Sequence, residues 1–170
     1  MAITFVNSAV PAGNPTTSFT ITIPTVAVSD LLLLATTNRD ATTAPSVTDD
    51  DSGGNTWTQK SSAASKGRLW YKRATSATSA KTITASGFTG SCSGVLTVLR
   101  GALNTGDPFN QYTLEENASG DETHAEITAS VDQCYITCSV HNVGNDNAVT
   151  ATAVTSPGGS SAERANSRSH

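Results

Sequence analysis

Between residues 18 and 24, Phe19, Ile21 and Ile23 alternate strictly with Ser18, Thr20 and Thr22. Successive side chains of an extended strand point to opposite faces, so this period of two makes one apolar face and one hydroxyl face. Short extended segments of this kind recur at residues 3–6, 46–48, 56–59, 67–74, 81–85 and 95–99. Turn-forming clusters punctuate them, among them PAGNP after the first and DDDSGGN before Trp57. No stretch of three helical turns carries a convincing apolar period. Thr, Val and Ile abound while Glu, Lys, Gln, Arg and Met are scarce, which favours strands over helices. The expected fold is therefore all-β: an antiparallel β-sandwich or jelly-roll-like architecture of about 8–10 short strands with no major helix.

The run DLLLLATTN at residues 30–38 is apolar without alternation over its first half, as suits a central strand covered on both faces. Residues 125–130, 133–142 and 148–155 read as the last strands. From 102 to 124 no regular apolar period exists, and Gly106, Asp107-Pro108 and the acidic stretch EENASGDE mark a long surface excursion. The expected organisation is one sandwich domain over 1–155, followed by an exposed polar tail over 156–170. Alternation places Phe5, Phe19, Ile21, Ile23, Leu32 and Leu34 inside, then Trp57, Leu69, Tyr71, Ile83, Leu96 and Val98, and finally Ile127, Ile136 and Val140. This puts Trp70 on the face opposite Leu69 and Tyr71.

Charge narrows the partners. The 170 residues carry a formal net charge of −4 with 14% charged residues, against roughly 25% in an ordinary soluble domain. Binding a phosphate backbone needs a basic stripe, so no nucleic-acid partner is expected. The one close basic group, Arg68, Lys72 and Arg73, reads as the polar face of a strand. The longest apolar run, 31–35, is too short to span a membrane, and the start MAITFVNSAV lacks the basic region of a secretory leader. The chain is accordingly expected to be made in a cytosol and to have no membrane partner. Cys92, Cys134 and Cys138 form no metal-type pair. The last two lie four residues apart along a strand, roughly 13 Å and beyond disulfide reach, so buried free thiols are expected.

No motif compels an enzymatic chemistry. Asp49-Asp50-Asp51-Ser52-Gly53-Gly54-Asn55 offers oxygens of the kind calcium prefers, with Asp49, Asp51 and Asn55 as candidate ligands. The twelfth position of such a loop is Lys60 in place of a bidentate Glu, and a hairpin turn explains the same residues. No G-x-S-x-G elbow or Gly-rich phosphate cradle is present. His124 lies beside an acidic loop, His141 ends a strand and His170 is the last residue, while adjacent Glu115 and Glu116 point apart on an extended chain. Neither an enzyme nor a cofactor is expected. Asn117-Ala118-Ser119 matches a glycosylation sequon but lacks a secretory signal to give it meaning.

Five short motifs, in order, are Asp-Leu-Leu-Leu at 30–33, Asn-Thr-Trp-Thr at 55–58, Arg-Leu-Trp-Tyr at 68–71, Arg-Gly at 100–101 and Asp-Pro-Phe at 107–109. In these the chain resembles a β-sandwich domain of tailed-phage and prophage structural proteins, found in decoration, head-fibre and tail-associated subunits. The resemblance spans residues 17–165, and its motifs are of a structural kind. Members run past a Glu-Arg-Ala element into a further strand, whereas Glu163-Arg164-Ala165 is followed here by only five residues. Either the sandwich closes differently or a neighbouring subunit adds the missing strand.

The resemblance implies a virion structural protein, foremost a capsid decoration (cement) subunit docked on junctions between major capsid subunits. Its partners would be the major capsid protein and copies of itself in a homo-oligomer, with trimers suggested by threefold capsid junctions. Its location would be the capsid surface. Strands whose outer faces carry Ser and Thr in place of edge lysines also suit a subunit of an assembly. The alternative is a carbohydrate-binding module of a head or tail fibre, stacking sugars on Trp70, Tyr71 or Tyr112. A third reading is a tail-tube or neck component.

Overall fold

The computed structural model describes residues 3–13, 15–23, 25–38, 45–51, 56–61, 66–102 and 105–109. Strand β1 (Thr4–Ala9) is followed by β2 (Ser18–Ile23), β3 (Leu31–Asn38), β4 (Ser46–Asp49) and β5 (Thr58–Gln59). Three longer strands complete the described part: β6 (Gly67–Arg73), β7 (Lys81–Ser86) and β8 (Cys92–Arg100). They form two antiparallel sheets, one of five strands in the order β1-β8-β3-β6-β5 and one of three in the order β2-β7-β4. No helix occurs among the described residues, and the architecture is a β-sandwich. The strands expected over 125–155, the excursion beyond 109 and the tail 156–170 lie outside the described residues.

Chain order alternates between the layers. After β1 in the large sheet, the chain visits the small sheet at β2, the large one at β3 and the small one at β4. It then makes the β5–β6 hairpin, crosses to β7 and returns to β8. β3 sits in the middle of the large sheet, paired with β6 on one side and β8 on the other. All eight of its residues are buried, as its unbroken apolar run predicts.

The main core lies between the sheets. Phe19, Ile21 and Ile23 of β2 and Ile83 and Ala85 of β7 meet Leu32 and Leu34 of β3, with Leu96 and Val98 of β8 beside them. Phe19 stacks on Phe88 with ring centroids 5.4 Å apart. A Cβ at Gly94 would lie 2.6 Å from Phe19 Cζ, so this ring uses the space that a side chain on β8 would occupy. The other face of β3 builds a smaller cluster of Leu31, Leu33, Leu99 and Ala102, against which Ile3, Phe5, Tyr71 and Phe109 pack. A register shift between Phe5 and Asn7 lets β1 serve both: Val6 and Ala9 pack on the main core, Ile3 and Phe5 on the smaller cluster.

β6 departs from the expected facing. Trp70, not Leu69 or Tyr71, belongs to the core between the sheets, together with the buried Arg68 and Lys72 on the same side of the strand. The face expected to be polar and solvated therefore points inward. Its physical reason is that Trp70 supplies the larger apolar volume there, while the Lys72 ammonium finds carboxylates on the opposing sheet.

Candidate functional site

Two assemblies of side chains stand out. The first is the outer face of the three-stranded sheet. Because Phe19, Ile21 and Ile23 point inward, Ser18, Thr20 and Thr22 point outward, and the pairing sets them against β7 as Ser18–Ser86, Thr20–Thr84 and Thr22–Thr82. On the other side of β7, Ser46 stands opposite Ser86 and Thr48 opposite Thr84. The Ser46 and Ser86 hydroxyls are 3.1 Å apart. Every outward position of these three strands is thus a serine or threonine, arranged in cross-strand rungs. The charged residues of the same strands, Lys81 and Asp49, face the other way. β-Branched Thr suits a strand, and its methyl and hydroxyl give a surface that is neither greasy nor charged.

The second assembly is a buried ionic cluster at one end of the sandwich, where the Asp49-Asp50-Asp51 run leaves β4. Asp49 Oδ1 accepts from Lys72 Nζ at 2.9 Å and from the Asp51 backbone N–H at 2.9 Å, and its Oδ2 accepts from the Trp57 indole at 3.0 Å. Asp51 accepts from the Thr75 N–H and the Ser76 hydroxyl, and stands 3.7 Å from Lys72 Nζ and 3.4 Å from Lys81 Nζ. Asp50, at the margin, accepts from the Thr82 N–H at 3.0 Å and lies 3.9 Å from Lys81 Nζ. The side chains of Lys72, Asp49, Lys81 and Asp51 are 2%, 3%, 1% and 0% exposed. Burial alone would push the Asp51 carboxyl up. The hydrogen bonds from Thr75 and Ser76 and the charge of Lys81 outweigh it and hold Asp51 well below the usual carboxylate range.

The candidate calcium oxygens Asp49 and Asp51 therefore already serve lysine, indole, hydroxyl and backbone donors, and a calcium ion would have to displace two ammonium groups to reach them. Asn55 lies outside the described residues. Among the described residues, no group of three or more His, Cys, Asp or Glu side chains is placed to hold a metal. Of the expected sugar platforms, Trp70 is 7% exposed and directs its indole N–H at Thr36 Oγ1, 3.4 Å away. Tyr71 lies on the opposite face of β6, edge-on to Phe109, and Tyr112 lies outside the described residues. Trp70 and Tyr71 are not brought together. His124, His141, His170, Glu115, Glu116, Asn117, Cys134 and Cys138 also fall outside. Cys92 is a buried free thiol, pushed up to about 11 by desolvation.

The short motifs meet one another. Asp30, at the start of β3, receives a bidentate pair from Arg100 at the end of β8, at 2.8 and 2.9 Å. Trp57 bonds Asp49 and Thr58 pairs with Tyr71. Asp107 pairs with Lys60, whose ammonium lies 5.5 Å from the centroid of the Phe109 ring. These residues brace strand ends and do not converge on a cleft. The buried lysine–aspartate cluster escaped sequence reasoning because its members come from β4, β6 and β7. The only available signal was the coincidence of a triple Asp with lysines on strands of matching parity. The chain matches no protein-family model, no curated protein and no solved structure.

Proposed function

We propose that this protein is a non-enzymatic virion structural subunit, a capsid decoration (cement) protein that docks on junctions between major capsid subunits of a tailed-phage head. The observation that carries the reading is the hydroxyl face of β2, β7 and β4. A surface of Ser and Thr loses little side-chain entropy when covered, and it brings no charge that must be stripped of water. Its hydroxyls can donate or accept, so they satisfy whichever backbone groups a partner presents. Such a face suits a lasting contact between large flat surfaces, and a stable interface needs more than about 1,000 Å². The motif resemblance supports the same reading, since its motifs brace the five-stranded sheet that backs this face, as Asp30 and Arg100 do between β3 and β8.

The test is co-sedimentation of the purified protein with emptied, expanded phage heads. Wild type is expected to bind stoichiometrically. A Thr20→Lys, Thr48→Lys double variant, which places one ammonium group on each of the two strands flanking Thr84 of β7, is expected to keep the wild-type melting temperature and lose binding. Wild-type protein that ignores the heads, or a double variant that binds them equally well, overturns the proposal.

A further inference from the structure

The ionic cluster is more than a brace. We propose that Lys72 and Asp49 are a self-modification site, at which the two side chains condense into an intramolecular amide that joins the two sheets covalently.

The reacting groups are already in contact. Lys72 Nζ lies 2.9 Å from Asp49 Oδ1, an oxygen bonded to the Cγ it would attack, so amine and carboxyl are held together as positioned groups. Neither side chain is free to drift. Lys72 lies in the paired part of β6 opposite Leu32, and Asp49 in the paired part of β4 opposite Ile83. Trp57 Nε1 donates to the second carboxyl oxygen at 3.0 Å, which is where negative charge develops when an amine adds to the carbon. Asp51 stands 3.7 Å from the same nitrogen and is placed to accept its proton.

The step balances without any added reagent. A proton passes from the Lys72 ammonium to the Asp49 carboxylate, leaving a neutral amine beside a neutral acid. The nitrogen lone pair adds to Cγ, forming the Nζ–Cγ bond. Asp51 takes a proton from that nitrogen and returns it to the hydroxyl on Cγ. The Cγ–O bond then breaks and one water leaves, so ammonium plus carboxylate has become amide plus water with no oxidation or reduction.

Burial supplies the direction. In water the separated ions are favoured, but here both side chains are withdrawn from it, and two buried charges carry a desolvation penalty that a neutral amide does not. Within the cluster, Asp51 and Lys81 keep each other as partners after the reaction, at 3.4 Å. The protein contains its own comparison in Lys60 and Asp107, an ion pair with side chains 27% and 46% exposed. That pair is expected to stay unlinked.

A cross-link between Lys72 and Asp49 would form whether or not the hydroxyl face docks, and its mass reveals it directly. Intact-mass spectrometry of the full chain under denaturing conditions is expected to give a mass one water below that of the sequence. Tryptic digestion should yield a branched peptide joining the segment that carries Asp49 to the one that carries Lys72. Lys72→Arg keeps the charge without a condensable amine and should restore the full mass, while Asp51→Asn should leave much of the protein unlinked. A wild-type mass equal to that of the sequence means an ion pair only and overturns the proposal. So does a water loss that maps to a linear peptide or to Lys60 and Asp107. The wild-type measurement decides even where a variant fails to fold.

Discussion

At the scale of single residues, the molecule is most sensitive where one side chain occupies space that another has given up. Gly94 on β8 is the clearest case. A methyl there would press on the Phe19 ring at 2.6 and 2.9 Å, and that ring is itself held by its stack on Phe88. Gly94→Ala is therefore expected to destabilise the fold by about 1–3 kcal/mol, the usual range for overpacking a filled core. Urea unfolding measures it, and Phe19→Leu in the same chain should recover part of the loss. An additive double variant would show that the two positions do not share that space. The same reasoning explains why Gly94 says little in the sequence. The ring that needs its missing side chain lies on the other sheet.

At the scale of the element, β6 shows what a strand pattern can and cannot reveal. Arg68, Trp70 and Lys72 share one face and Leu69, Tyr71 and Arg73 the other, so alternation is plain, yet each face carries an aromatic ring and a cation. Which one turns inward depends on the opposing sheet, where Asp49 and Asp51 wait for Lys72. For β2 and β3 no such ambiguity exists, and both are legible from their residues alone: SFTITI has one apolar face and LLLLATTN has two. The hydroxyl face was legible only strand by strand. Its assembly into rungs follows from β7 lying between β2 and β4, an order that the run of the chain does not reveal. Because Trp70 fills the core, Trp70→Ala is expected to cost about 3–5 kcal/mol, the range for emptying a large aromatic site. Denaturant melts check this. A cost below about 1 kcal/mol would place the indole outside the core.

At the scale of the whole molecule, apolar packing joins the two sheets, and buried carboxylates stay ionised both within the five-stranded sheet, at Asp30, and between the sheets, at Asp51. For Asp30, burial raises the carboxyl, and the hydrogen bonds from Arg100 and Ala27 with the Arg100 charge more than offset it, so its net shift is downward. Asp51 is lowered as well. A carboxylate whose folded value lies below its unfolded one contributes stability at neutral pH, and the contribution disappears as pH falls through and below the ordinary range near about 4. The melting temperature is accordingly expected to hold from pH 7 to about 5 and then to fall steeply. An Asp30→Asn, Asp51→Asn double variant should start lower and show a flatter acid limb. An identical acid slope in both proteins would locate the sensitivity elsewhere. The alternation of the chain between layers carries a consequence for synthesis. β3 needs β6 on one flank and β8 on the other, and β8 ends only at Arg100. In a nascent polypeptide leaving the ribosome, the four leucines of β3 can gain β6 on one flank but stay unmated on the other until about seventy further residues have emerged. For that interval the open flank is apolar surface of the kind that chaperones cover.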